Sequence, residues 1–414
     1  MTTVAAPILR TDTDFRKLWV GQTASLIGAQ VAAFAIPVVA VVTLGANEFE
    51  MGILAMVSRL PYLLFLFAGV WADRFSRRRT MMGAGLVRAV CVAAVPVLYV
   101  LDALSLPALL TVVFTIGVLS VFYDVANLSH LPTLVPRERL GEANARMQLS
   151  MSVSQLVGPA LGGLAVGGIA AALLLGADTA GLLVAVVAIA LIRRPEPEPQ
   201  PAATRPRVFA AIGEGLRWAW RQPLIRPGLI AIGLYMVAFF AILTLLMLYV
   251  LRDLRLAPGW AAVMLAAGGV GAMVGATVAV RVMKRIGVGP AFIAGALLGV
   301  AGLALVPLAA GPLWMVVALL ALGQFVYGVG SQIAIVNHTT LRMALTPDAL
   351  QGRINATYRA VQFGVGPLGG IAGGALGTVF GARATIAGCV VAMLIPAAVL
   401  IFSPVPHQRE IPHE

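Results

Sequence analysis

Asp124 and Arg88 stand where charge is most expensive. Each lies within a long apolar run: TVVFTIGVLSVFYDVAN carries the aspartate and TMMGAGLVRAVCVAAVPV the arginine. In hydrocarbon an ionisable side chain is a functional hypothesis by default, because its burial needs a partner or a role. Consecutive antiparallel helices would put the two at similar depth, Arg88 about eight residues or roughly 12 Å into its helix. An Asp124–Arg88 ion pair is therefore expected. It could be a static pair near the headgroups or a proton-sensitive switch, and the sequence leaves both open.

A second concentration of charge is GVWADRFSRRRTM, residues 69–81, where Asp73, Arg74, Arg77, Arg78 and Arg79 crowd into seven positions. Gly69 permits close approach of a neighbouring helix. Asp73 would sit at a helix end, where a carboxylate can meet a helix N-terminus or an arginine. The arginines alone could serve as a positively charged anchor. Other isolated polar groups say less. Arg59 either snorkels to the interface or faces a ligand, and Asp178 is expected near an interface, with pairing to Arg59 as the alternative. The lone histidines His130 and His338 indicate no metal site.

These residues are positioned by membrane-spanning helices. The 414 residues are 60% hydrophobic and only 11% charged, with a mean hydropathy of +0.95. A soluble globule carries about 25% charged residues, so lipid must solvate much of this surface. Runs of roughly 20 apolar residues recur from end to end. Twelve spans are read: 18–44, 52–72, 80–101, 107–128, 144–168, 171–192, 224–250, 259–281, 288–309, 312–335, 355–379 and 383–403. Segments this long must bond their backbones internally, which makes them helices. The expected fold class is an all-α membrane protein of two pseudo-symmetric six-helix bundles.

With the N-terminus inside, all but a handful of the 29 lysines and arginines fall on the cytoplasmic side, which predicts that both termini are cytoplasmic. Residues 1–192 form the first bundle and 224–414 the second. The connection 193–223 begins with a stiff PEPEPQP run. It continues with Phe209, Ile212, Leu216 and Trp220 at helical spacing, which predicts a short amphipathic helix on the inner membrane face.

The halves repeat. Pro136 aligns with Pro347, and Asn144-Ala145 with Asn355-Ala356; GPALGG at 158–163 answers GPLGG at 366–370. Gly69 aligns with Gly275, and Asp73 with Ala279, so the second copy lacks the acid.

The net charge of +12 follows membrane topology rather than a nucleic-acid face, since the basic residues sit between apolar runs. Cys91 and Cys389 lie in apolar runs and suggest no disulfide framework. No leader with an apolar core precedes Asp12 and Asp14. There is no GxxxxGK[ST], no HExxH and no Cys/His cluster, so neither an enzyme, a metal site nor a cofactor is expected.

Six plus six spans, a central linker and GVWADRFSRRR resemble the major facilitator superfamily over nearly the whole chain. The family loop reads Gly-x-x-x-Asp-Arg-x-Gly-Arg-Arg/Lys; Gly69, Asp73, Arg74, Arg77 and Arg78 match, and Ser76 replaces the second glycine. The resemblance implies that Asp73 latches the first half against the start of span 11, where Gly352–Asn355 and Arg353 are the candidates. GPALGG resembles an antiporter motif, which implies a helix bend at Gly158, Pro159, Gly162 and Gly163. FRKLWVGQ, SRLPYLL, LVRA, LPTLVP and QGRINA resemble the drug, macrolide and siderophore exporter branch. Span 4 has no arginine, unlike many drug antiporters.

The same resemblance implies a substrate cavity lined by spans 1, 4, 7 and 10. Its candidates are Gln22, Gln30, Tyr123, Asn127, Tyr235, Phe239, Gln324, Tyr327 and Gln332, with Arg59 of span 2 as a further candidate if it faces the cavity. Few polar groups in an apolar setting suit a bulky amphipathic ligand better than a sugar. The expected function is proton-coupled export of hydrophobic or amphipathic small molecules across a bacterial inner (plasma) membrane, by a monomer with no nucleic-acid partner. The alternatives are a dedicated siderophore or natural-product exporter and, in another class, a non-transporting membrane sensor.

Overall fold

A computed structural model of the chain describes residues 8–64, 76–136, 139–166, 168–194, 208–347 and 350–408. Gly69, Asp73 and Arg74 lie outside these residues. The regular elements among the described residues are all helical. Eleven helical segments are long and apolar enough to cross a membrane. The expected span 52–72 is described only to residue 64, as a helix over Glu48–Arg59 and a 3-10 turn over Leu60–Leu64.

Two compact units make up the chain, residues 1–44 with 61–205 and residues 45–60 with 206–414. Unit 1 contains α1 (Ile8–Thr11), α2 (Thr13–Val38), α4 (Arg77–Val100), α5 (Leu106–Leu134), α6 (Leu140–Val166) and α7 (Leu175–Ala190). Unit 2 contains α3 (Glu48–Arg59), α8 (Val208–Arg221), α9 (Arg226–Leu248), α10 (Pro258–Ile286), α11 (Val288–Leu308), α12 (Leu313–Leu345), α13 (Gln351–Gly364), α14 (Gly366–Phe380), α15 (Ala382–Ala392) and α16 (Leu394–Ile401). The junction falls inside the 193–223 connection. Residues 45–60, however, group with the second unit, although their place in the sequence is in the first half.

Short-range chemistry sets the helix ends. Asp12 caps α2 by accepting from the amides of Asp14 and Phe15 at 3.1 and 2.9 Å. Asn47 and Glu50 close a capping box at the start of α3, at 2.9 and 2.8 Å. Ser76 caps α4 through the Arg79 amide at 3.3 Å. Gly287 and Gly381 join consecutive helices at φ 96° and 78°, a conformation that strains any residue with a Cβ.

In unit 1, α2 packs on α6 and α7, and α4 on α5 and α7. The core includes Phe15, Leu18, Met81, Leu134 and Ile189. Charged ties close one end. Asp14 pairs with Lys17 at 2.8 Å and accepts from the Arg194 amide at 3.0 Å. Arg139 pairs with Glu142 at 3.0 Å, and Glu142 accepts from the Ile8 amide at 2.9 Å.

In unit 2, α12 packs against both α10 and α11, while α14 packs against α3 and α9. The backbones approach so closely that glycine is required. A Cβ on Gly374 would lie 2.7 Å from Gly52 Cα and 2.8 Å from Glu48 O. The Arg252–Glu48 ion pair ties the start of α3 to the chain following α9.

The repeated glycine-proline motif has two outcomes. Around Pro159, α6 runs on as one helix. At the second copy the helix stops at Gly364 and restarts at Gly366, with Pro367 in the first turn, where a missing amide costs no intrahelical bond.

Candidate functional sites, one in each unit

The unit 1 site is built on four helices. Arg88 on α4, Asp124 on α5 and Asp178 on α7 lie 10 to 12 residues from the helix ends Arg77, Leu134 and Ala190, about 15–18 Å at 1.5 Å per residue. Arg88 is 7% exposed and Asp178 is 3% exposed. The charge of Arg88 acts on both carboxylates. Yet the guanidinium makes no ion pair within 4.0 Å with Asp124, contrary to the sequence expectation. Instead it lies over the Tyr123 ring, 5.7 Å from the centroid, a cation–π contact. Arg88 Nε and Asp178 Oδ1 are buried without a hydrogen-bond partner.

Above this ring, Gln22 on α2 donates to the Tyr123 hydroxyl at 2.7 Å and to Asn127 Oδ1 at 3.2 Å. Three of the expected cavity residues are thus joined in one network that touches Arg88 through the shared tyrosine. Gln30 stands apart. It packs against Gly158, whose Cβ would fall onto the Gln30 side chain, and Gly162 abuts the Phe34 ring in the same way, at 2.7 Å. Gly158 and Gly162 of the GPALGG motif thus bring α6 into close contact with α2, and the helix is continuous through the motif.

The sequence placed Asp178 near an interface and so missed its part in this cluster. Its distance from Ala190 matches those of the other two charges, and that spacing was the available signal.

The unit 2 site is aromatic. Tyr235 stacks on Phe239 with centroids 6.0 Å apart, and Phe239 on Tyr327 at 5.7 Å. Phe240 meets Phe239 at 5.6 Å, and the Arg59 guanidinium lies 4.8 Å from the Phe240 centroid. Gln324 and Gln332 do not join this stack. They lie at the α10–α12 contact, where a Cβ on Gly268 would meet Gln324 Oε1 at 3.4 Å and one on Gly275 would meet Gln332 Cβ at 3.0 Å.

Next to the stack, a cavity of about 130 Å³ is walled by α9, α11, α12 and α16. The α11 and α16 walls include Phe292, Gly299, Pro396 and Ala397, on helices that the sequence did not associate with a cavity.

Three predicted latch residues are described. Arg78 donates to the Ala190 carbonyl at 2.6 Å, a cation on a helix C-terminus. Arg77 begins α4. Arg353, expected to face the acid of the loop, pairs with Glu214 on α8. That helix forms where the linker pattern predicts it. It packs on α13 through Gly215 and the fully buried Ala219, leaving Leu216 41% and Trp220 54% exposed. No group of three or more His, Cys, Asp or Glu residues suited to a metal occurs among the described residues.

Known proteins resemble this chain throughout. Residues 2–413 match the transmembrane secretion effector family. The multidrug efflux pump Tap of Mycolicibacterium fortuitum is 29% identical over 375 residues, covering 86% of this chain and 88% of that one. Macrolide efflux protein A of Streptococcus pyogenes is 26% identical over 203 residues, 49% of this chain and 50% of that protein. The crystal structure of a bacterial homologue of the iron transporter ferroportin in its inward-facing state has the same fold, with a TM-score of 0.77 at 16% identity over 96% of this chain and 99% of that one. The family and its relatives are membrane transporters, not enzymes. This chain belongs to the transmembrane secretion effector family, in the drug, macrolide and siderophore exporter branch of the major facilitator superfamily.

Proposed function

We propose that the chain exports hydrophobic or amphipathic small molecules by alternating access, driven by entry of protons, from a bacterial inner membrane in which both termini face the cytoplasm. The observation that carries the coupling is the set of buried Arg88 and Asp178 with half-buried Asp124. One cation and two carboxylates leave an excess negative charge, and one proton brings the set to neutrality. Charges this deep persist when they have a role. The Gln22–Tyr123–Asn127 network joins the same tyrosine ring to α2, so a change at Arg88 reaches two further helices. The aromatic stack of unit 2 suits a bulky apolar ligand, in keeping with relatives named for multidrug and macrolide efflux.

The test is proton flux in vesicles reconstituted with the full chain, over a chemically diverse panel of compounds. Addition of a transported compound should drive proton movement, and collapse of the gradient should stop export. Export that persists without a gradient would remove the antiport mechanism. A charge-neutral pair, Arg88→Met with Asp124→Leu, that retains transport and its pH dependence would remove this cluster from it. Asp73 remains the proposed latch; Asp73→Asn should cripple cycling while insertion stays normal by membrane fractionation.

A further inference from the structure

An open groove on unit 2 joins an apolar trough to two opposite charges. It is bounded by the turn after α9, the end of α11 and the junction of α14 with α15. Its walls include Leu308, Phe380 and Val391, which are 63, 65 and 64% exposed. The charged residues that line it are Arg383 and Asp253, both exposed.

Gly381, at φ 78°, turns the chain so that Arg383 falls in the first turn of α15. There Arg383 Nε donates to the Pro307 carbonyl at 2.8 Å. Its two terminal nitrogens have no hydrogen-bond or ion-pair partner among the described residues. A guanidinium anchored in this way presents a fixed fork, the geometry that takes phosphate oxygens in pairs. Asp253 is tied loosely, to Arg252 Nε at 3.6 Å, and Arg252 is itself paired with Glu48. Asp253 and Arg383 make no ion pair with each other within 4.0 Å, although the charges of both act on Tyr249.

The charges select among occupants. At about 680 Å³ the groove is far larger than a free inorganic anion, which would also leave the apolar walls uncovered. A plain hydrocarbon leaves both charges unmatched. A lipid with a purely anionic headgroup satisfies Arg383 but brings a like charge towards Asp253. A phosphate followed by a primary ammonium matches both. A trimethylated ammonium has no N–H to donate to the carboxylate.

We propose that this groove is a binding site for one phospholipid of the phosphatidylethanolamine type. Its phosphate sits on the Arg383 fork, its ammonium on Asp253 and an acyl chain along Leu308, Phe380 and Val391. The site is built by unit 2 alone and does not depend on the export reading. Only the leaflet does: with both termini cytoplasmic, the groove opens to the outer one.

The experiment is native mass spectrometry of the delipidated full chain, titrated with dioleoyl phosphatidylethanolamine, phosphatidylglycerol and phosphatidylcholine. The wild type should bind phosphatidylethanolamine most tightly. Arg383→Gln should weaken it about tenfold, and Arg383→Lys should restore part of the loss. Asp253→Asn should erase the preference for phosphatidylethanolamine over phosphatidylglycerol. Ala384→Trp fills the groove from α15 and should weaken all three lipids; if thermal unfolding shows it to be misfolded, Ala387→Phe fills the same wall one turn along. Equal phosphatidylethanolamine affinity in wild type and Arg383→Gln overturns the proposal. So does a preference that survives Asp253→Asn, binding that neither filling variant changes, or no preference in the wild type.

Discussion

The two units bury polarity in opposite ways. Unit 1 keeps an arginine and two aspartates inside it, none in a tight pair, and threads an amide network past them. Unit 2 shows no such set among its described residues; its interior carries stacked aromatics and backbone-close glycine contacts. The difference persists at corresponding positions. At the offset that aligns Gly69 with Gly275, Arg88 falls on Ala294; at the offset that aligns Pro136 with Pro347, Asp124 falls on Ile335. A repeat of one architecture has therefore been specialised residue by residue. We read unit 1 as carrying the proton and unit 2 as offering surface for an apolar ligand.

That division can be broken by experiment, and the largest effect is expected at Asp178. Asp178→Asn should abolish substrate-driven proton flux in vesicles. If Asp124→Asn alone does so while Asp178→Asn transports normally, the cluster reduces to one acid and the three-charge argument fails. Next comes the seam of unit 2. Gly52→Val places a side chain against α14, with its Cβ 2.9 Å from Gly374 Cα. Overpacking of this kind costs about 1–3 kcal/mol and should appear as a lower melting temperature of the purified protein. Smaller again is Phe239→Leu, which removes the middle ring of the stack. Half-saturation for aromatic substrates should rise about three- to tenfold, the equivalent of ~0.5–1.5 kcal/mol for an aromatic pair, with protons moved per substrate unchanged. A change in that ratio would show that unit 2 is not confined to ligand contacts. The smallest effect belongs to Glu214→Gln. Its pair with Arg353 is solvent-exposed and contributes about 0.2–1 kcal/mol, so melting should shift slightly and export should hold.

The extent of most helices was readable from sequence, and direction around them was not. Apolar run length placed the spans close to where they lie; 288–309 was read and α11 covers Val288–Leu308. Helical spacing found α8, because Leu216 and Trp220 repeat on one face. Depth also put Arg88 and Asp124 at one level. Whether they touch depends on rotation, and the ring of Tyr123, adjacent to Asp124, takes the guanidinium instead. Asp178 was misjudged because it was measured from the nearer end of its span rather than from Ala190. The walls that α11 and α16 lend to the cavity left no sequence mark, since glycine, alanine and proline in an apolar helix look alike whether they line a space or fill one. Nor could the grouping of residues 45–60 with unit 2 be foreseen; it depends on Gly52 meeting Gly374, more than 300 positions away.

That glycine contact has a kinetic consequence. Where two helices meet through interlocked side chains, separating them means rotating each side chain out of its socket and later fitting it back. Where they meet backbone to backbone, as α3 and α14 do around Gly52 and Gly374, there is nothing at the contact to rotate. No rotamer entropy is frozen on closure or regained on opening. Such a joint can open and re-form repeatedly without wear, like a hinge with no teeth, and its strength is set by how flush the two surfaces lie.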